Sequence, residues 1–130
     1  MRSVGREDTG AERRCAELLV SVSTAWEQHP PHILGKPDFF FPKAHLALFV
    51  HGCFWHGHEN CPRRLKNPET HATYWAAKIQ GNRRRDRRVA RKLRLMGVAV
   101  FTVWECQLRT GRLPPRLLNK LDEARRKQHL

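Results

Sequence analysis

The stretch LFVHGCFWHGHENC, residues 48–61, carries the chain from strand-like apolar sequence into metal and proton chemistry. Residues 44–50 are nearly continuously apolar, the pattern of a central strand covered on both faces. Cys53, Cys61, His51, His56 and His58 then crowd around a Phe54-Trp55 pair. Working outward, Gly35-Lys36-Pro37-Asp38 is a turn into a shorter apolar strand at 39–41. Pro42-Lys43 separates the two strands, which read as a hairpin or as sheet neighbours. Residues 98–104, alternating and bulky, supply a third strand.

Helices fill the remainder. Thr9 and Glu12 form a capping box, and Ala11, Cys15, Leu18, Leu19, Val22 and Trp26 recur on one face behind it, until His29-Pro30-Pro31 ends the helix. A basic loop at 62–68 precedes the longest helical pattern, from Glu69 or Thr70 to about Met96 before Gly97. The last helix runs from Pro114 and carries Leu117, Leu118 and Leu121. The order helix, strand, strand, helix, strand, helix predicts an α/β sandwich with a mixed sheet between helices.

The chain of 130 residues is long enough for one modest core. Its 25 Lys and Arg against 12 Asp and Glu leave a formal charge of +13, which favours a polyanionic partner, nucleic acid first. A membrane surface fits poorly, because the sequence has neither an apolar run of spanning length nor a basic amphipathic helix with an aromatic face. The N-terminal MRSVGREDTG is not followed by the apolar stretch of a signal peptide, so an intracellular protein is expected. Its four cysteines would then be reduced, and ligation of a metal is a better use for them than disulfides.

At a hundred degrees per residue, Trp75, Ile79, Asn82, Asp86, Val89 and Leu93 fall on one stripe of the long helix. Arg83, Arg84, Arg85, Arg87, Arg88, Arg91, Lys92 and Arg94 cover the other sides. A cationic face of this kind is either merely solvated or a track for phosphates; its self-repulsion favours the second, with Asn82, Arg83, Arg84, Arg87 and Arg88 as candidate DNA-binding residues. Asp86 points inward, and a buried carboxylate needs a partner or a task.

Cys53, His58 and Cys61 follow a C-x4-H-x2-C spacing, which Cys106 at the end of the third strand would complete as a structural zinc site. Spacing leaves open the exchange of His58 for His56. Phe54-Trp55 reads either as a wedge for a base stack or as a pair packed on the domain. Glu12 reads as a cap, and Asp38 as either a turn residue or a ligand of a divalent ion; pattern does not decide between these.

GKPDF (35–39), HGCFWH (51–56), YWAAKIQGNRRRDRR (74–88) and VWEC (103–106) together resemble, in order and spacing, the very short patch repair (Vsr) mismatch endonucleases. The resemblance extends from the N-terminus to about Cys106. It implies a restriction-endonuclease-like three-layer sandwich made of one domain over 1–130, with a short N-terminal arm at 1–8 and a C-terminal helix at about 114–128. It also implies a Mg²⁺-dependent nick 5′ to the thymine of a T:G mismatch, the product of 5-methylcytosine deamination. Asp38 would hold Mg²⁺ with the main-chain carbonyl of Val50, where the best-known form has threonine. His56 would manage the proton of the attacking water, with Glu12, His51 and Asp86 as further active-site residues. Cys53, His58, Cys61 and Cys106 would hold Zn²⁺, although the spacing before the third ligand is one residue longer here. Phe54, Trp55 and Trp75 would enter the DNA beside the mismatch. Implied partners are double-stranded DNA with a T:G mismatch and mismatch-repair proteins, for a monomer in the bacterial cytoplasm at the nucleoid.

The N-terminal segment that packs on DNA in many members is shorter here, which predicts a weaker grip. Two other readings compete: a restriction-type nuclease that cuts paired duplex, and a zinc-stapled DNA-binding module without catalysis.

Overall fold

A computed structural model describes residues 10–22, 24–53, 56–58, 61 and 72–128, with backbone alone at 72 and 124–128. Helix α1 is Gly10–Leu19, followed by strands β1 (Glu27–Gln28), β2 (Phe39–Phe41) and β3 (Leu46–His51). The long helix α2 (Ala72–Leu95), strand β4 (Ala99–Trp104), and helices α3 (Glu105–Leu108) and α4 (Pro115–Gln128) complete the order. The four strands form one mixed sheet in the order β1-β2-β3-β4: β2 is antiparallel to both its neighbours, and β3 runs parallel to β4.

Period-two alternation sends each strand's side chains to two separate cores. Phe39, Phe41, Leu46, Leu48 and Val103 meet Cys15 and Leu19 of α1, Leu108 of α3, and Leu117 and Leu121 of α4 on one face. Phe40, Ala47 and Leu93 of α2, backed by Ile33, Phe49, Val89 and Val100, form the smaller core on the other face. The result is a mixed α/β fold with helices on both sides of the sheet. The polar side of α2 stays in solvent, because only its Val89–Leu93 edge is needed to cover the second face.

The antiparallel β2-β3 pair and the third strand lie where the sequence places them, and the α2 stripe is its less exposed side. The first helix is a correction: it ends at Leu19, well before His29-Pro30-Pro31. Val20-Ser21-Val22-Ser23-Thr24 is a run of β-branched and hydroxyl residues, which are poor helix formers, and the Ser21 hydroxyl donates back to the Leu18 carbonyl at 3.2 Å. Val22 and Trp26 still pack on the main core from non-helical chain, Trp26 edge-on to Phe39 at 5.3 Å. The short elements β1 and α3 were not legible from periodicity. Among the described residues, no helix is long and apolar enough to cross a membrane. Thr9, the arm at 1–8, Phe54, Trp55, the basic loop at 62–68 and the expected start of the long helix at 69–70 lie outside the described residues.

Candidate active site and metal centre

Asp38 stands immediately before β2 and turns its carboxylate toward the neighbouring strand, where the Val50 amide donates to Oδ2 at 2.7 Å. Glu12, on α1, is buried, and its Oε2 accepts from the Gln28 side chain at 2.8 Å. His29, just past β1, brings Nε2 to 2.5 Å from Glu12 Oε2 and to 4.0 Å from Asp38 Oδ1. The Glu12 approach is short, but His29 Nε2 is buried without a hydrogen bond, so proximity here is not hydrogen-bond geometry. One donor atom from each of Glu12, His29 and Asp38 lies within 4.8 Å of the others. Burial, and then the charge and hydrogen bond of Glu12, push the Asp38 carboxyl up to about 7, against the lowering effect of the Val50 amide and His29.

A second group forms where the end of β3 meets α2. Alternation along β3 turns His51 to the α2 side, the opposite side from Val50. His51 and His56 stack at 3.8 Å with planes 4° apart, and His56 Nδ1 lies 2.6 Å from Asp86 Oδ2. His51 Nδ1 is 3.8 Å from the same oxygen, too far for a hydrogen bond, and is buried without one. Burial, then the charge of His56, lowers His51 to about 4, so this ring is neutral at ordinary pH. Burial alone would raise Asp86, but its bond to His56 and the charges of His51, His56 and Arg85 hold it below the usual carboxylate range.

The third group is the cysteine loop. Cys53, His58, Cys61 and Cys106 each offer a ligand atom within 4.8 Å of the rest, with His58 Nδ1 3.6 Å from Cys106 Sγ. Cys106 is on α3, so this cluster ties the loop to the end of β4. His58 stacks on Trp104 at 4.1 Å and 5°, which turns its nitrogen to the thiols and separates it from His56. Burial above all pushes Cys53 up to about 12 and raises Cys106, a cost that a divalent ion would reverse by deprotonating them. The donor set, thiols with one imidazole, fits a tetrahedral structural site. Gly57, at φ 61°, lets the loop lie on α2: a Cβ there would meet Ile79 at 2.7 Å and Arg83 at 2.8 Å.

A cleft of about 950 Å³ runs from His51, His56 and Asp86 along α2 past Arg83, Arg84, Arg87, Arg88, Arg91 and Arg94. Thus Asp86 and the arginines share one helix but present different sides to one opening. Asn82 is half-buried and accepts from Arg85 at 3.4 Å, and Trp75 is half-buried beside Tyr74.

The sequence-derived active-site residues are therefore divided between two groups, Asp38 with Glu12 and His51 with His56 and Asp86, which adjoin at Val50-His51. The ambiguity between His56 and His58 resolves by position: His58 faces the thiols and His56 faces Asp86. In the sequence His29 marks only the end of a helix. Its signal was weak, a histidine before Pro-Pro, because no local periodicity reports that β1 pairs with β2 and carries it to Asp38.

A family model described as DNA mismatch endonuclease Vsr matches residues 1–63. The chain is 42% identical over 125 residues to the type II nicking enzyme V.XorIIP of Xanthomonas oryzae pv. oryzae, covering 95% of this chain and 90% of that protein. It is 39% identical over 109 residues to the DNA mismatch endonuclease Vsr of Escherichia coli K12, covering 84% of this chain and 69% of that one. With the type II nicking enzyme V.NmeAIP of Neisseria meningitidis the identity is 29% over 121 residues, 93% and 85% of the two chains.

Proposed function

The chain belongs to the Vsr family and is a DNA endonuclease, and from that premise we propose that it makes a Mg²⁺-dependent nick 5′ to the thymine of a T:G mismatch in double-stranded DNA. The observation that carries the reading is the His56–Asp86 pair, 2.6 Å apart at the head of an arginine-lined cleft, with His56 stacked on His51, the residue after the Val50 whose amide binds Asp38.

Asp38 and the Val50 main-chain carbonyl would hold the catalytic ion; a carboxylate oxygen of Glu12 within 4.8 Å of one of Asp38 supports a cation there. When bound, Mg²⁺ supplies charge neutralisation at the scissile phosphate and a more acidic water. Asp86 accepts from His56 Nδ1–H and so fixes the tautomer in which Nε2 is free to take a proton. Stacking on His51 restricts rotation of the His56 ring. His51 itself stays neutral, so it adds no positive charge that would discourage His56 from accepting. Arg83, Arg84, Arg87 and Arg88 hold backbone phosphates along the cleft, an interaction indifferent to sequence. Recognition of the mispair comes from the ease of distorting a poorly stacked step, into which Trp75, together with Phe54 and Trp55, is inserted.

Zn²⁺ on Cys53, His58, Cys61 and Cys106 holds the loop that carries His56. In this reading the sandwich is restriction-endonuclease-like, a single domain over 1–130, acting as a monomer alongside mismatch-repair proteins at the nucleoid. The test is a single-turnover assay on end-labelled duplexes with randomised flanks, carrying T:G or T:A at one position. A single-strand nick 5′ to the thymine, with Mg²⁺ and only in the T:G series, is the expected product. Equal cleavage of paired duplex would favour a restriction-type enzyme, and binding with no nick in any context would leave a DNA-binding module.

A further inference from the structure

The Mg²⁺ reading of Asp38 has no use for His29, which lies outside the motifs that carry the family resemblance. Yet His29 Nε2 is buried without a hydrogen bond, 2.5 Å from Glu12 Oε2 and 4.0 Å from Asp38 Oδ1. Its donor atom and those of the two carboxylates lie within 4.8 Å of one another. The backbone aims the ring there: the His29 amide donates to the Asp38 carbonyl at 2.9 Å, and the residue takes φ 53°, in the left-handed region that is uncommon outside glycine. Three donors on α1, on the segment after β1 and before β2 thus converge at one point, and one of them is nitrogen.

We infer that His29 is a third protein ligand of the ion held by Asp38, together with Glu12, and that it gives the site a preference for Mn²⁺ over Mg²⁺. The inference rests on Asp38 being a metal ligand, as proposed above. Mg²⁺ takes oxygen donors and keeps much of its water, so an imidazole adds little to its binding. Mn²⁺ accepts the same carboxylates and stands in the first-row series whose affinities respond to nitrogen ligands. It is also too hard to displace zinc from thiolates, which makes it a usable probe with the cysteine loop loaded.

The experiment is a titration of the zinc-loaded full chain without DNA, reading free Mn²⁺ by electron paramagnetic resonance, alone and in competition with Mg²⁺. The variant is His29→Asn, since asparagine tolerates the left-handed backbone and lacks the imidazole. Mn²⁺ affinity should fall by about tenfold or more, the scale on which even outer-sphere partners matter, while Mg²⁺ affinity, which also reports an intact fold, stays within about twofold. Nicking by the variant should correspondingly lose its gain with Mn²⁺. An unchanged Mn²⁺-to-Mg²⁺ ratio overturns the inference, as does tighter binding of both ions, which would make His29 a competitor for the carboxylates. Asp38→Asn separates the two levels: if it abolishes binding of both ions while His29→Asn changes neither, only the role of His29 fails. If Asp38→Asn leaves Mn²⁺ binding intact, the metal reading of Asp38 fails and this inference with it.

Discussion

His56 and Asp86 sit thirty residues apart in sequence, with Nδ1 of one 2.6 Å from Oδ2 of the other. The carboxylate belongs to a rigid helix and the imidazole to a loop beside the thiol cluster, so the pair joins the two parts of the molecule. Asp86→Asn would keep the shape and remove the charge that fixes the imidazole tautomer. Nicking of a T:G duplex should fall by about 10²- to 10⁴-fold, the range of a proton-transfer contribution, with duplex affinity and zinc content unchanged. A loss below threefold in single-turnover rate would remove Asp86 from the mechanism.

Asp38 gives the metal-free protein a pH signature. Its carboxyl titrates near 3.8 when unfolded and about 7 when folded, so the folded form binds the extra proton between these values. Stability from this group is complete below about 3.8 and declines as pH rises through about 7. The lowered His51 acts oppositely between about 4 and 6.5, so the comparison must be with Asp38→Asn, which retains His51. In zinc-loaded protein without added Mg²⁺, wild type should lose melting temperature relative to Asp38→Asn as pH rises from 4 to 7, and adding Mg²⁺ should recover more of it at the high end. A wild type that gains on the variant over this window contradicts the assigned environment.

Gly57 allows the thiol loop to lie against α2. Gly57→Ala would place a Cβ on Ile79 and Arg83 in a left-handed conformation, at a combined cost of about 1–3 kcal/mol. Chemical denaturation should show that loss with the zinc stoichiometry preserved, and nicking should slow because His56 moves with the loop. An alanine variant with wild-type stability and rate would mean that the loop is not held there.

Arg87 and Arg88 line the cleft and lie on the exposed side of α2. Each change to alanine should reduce the slope of log affinity against log salt by about 0.9 if it removes one phosphate contact. The reduction should be equal for T:G and T:A duplexes, since phosphates carry no sequence information. A change in mismatch preference with an unaltered salt slope would assign these side chains to the bases instead.

The sequence by itself determined the elements with a repeating pattern. Apolar runs marked the strands around residues 39–41 and 46–51, alternation marked the one around 99–104, and the stripe through Ile79, Asp86 and Leu93 oriented the long helix. It also determined that Cys53 and Cys61 share one short loop with a histidine able to join them, because ligand spacing on a loop is a local property. Only the tertiary structure decided which histidine faces the thiols and that His29 joins Glu12 and Asp38. Those outcomes depend on β1 pairing with β2, on Trp104 stacking against His58 and on α2 crossing the sheet. Such contacts bring together residues with no periodic relation along the chain, and they form because the sheet and its two cores fix them, whatever the local propensity.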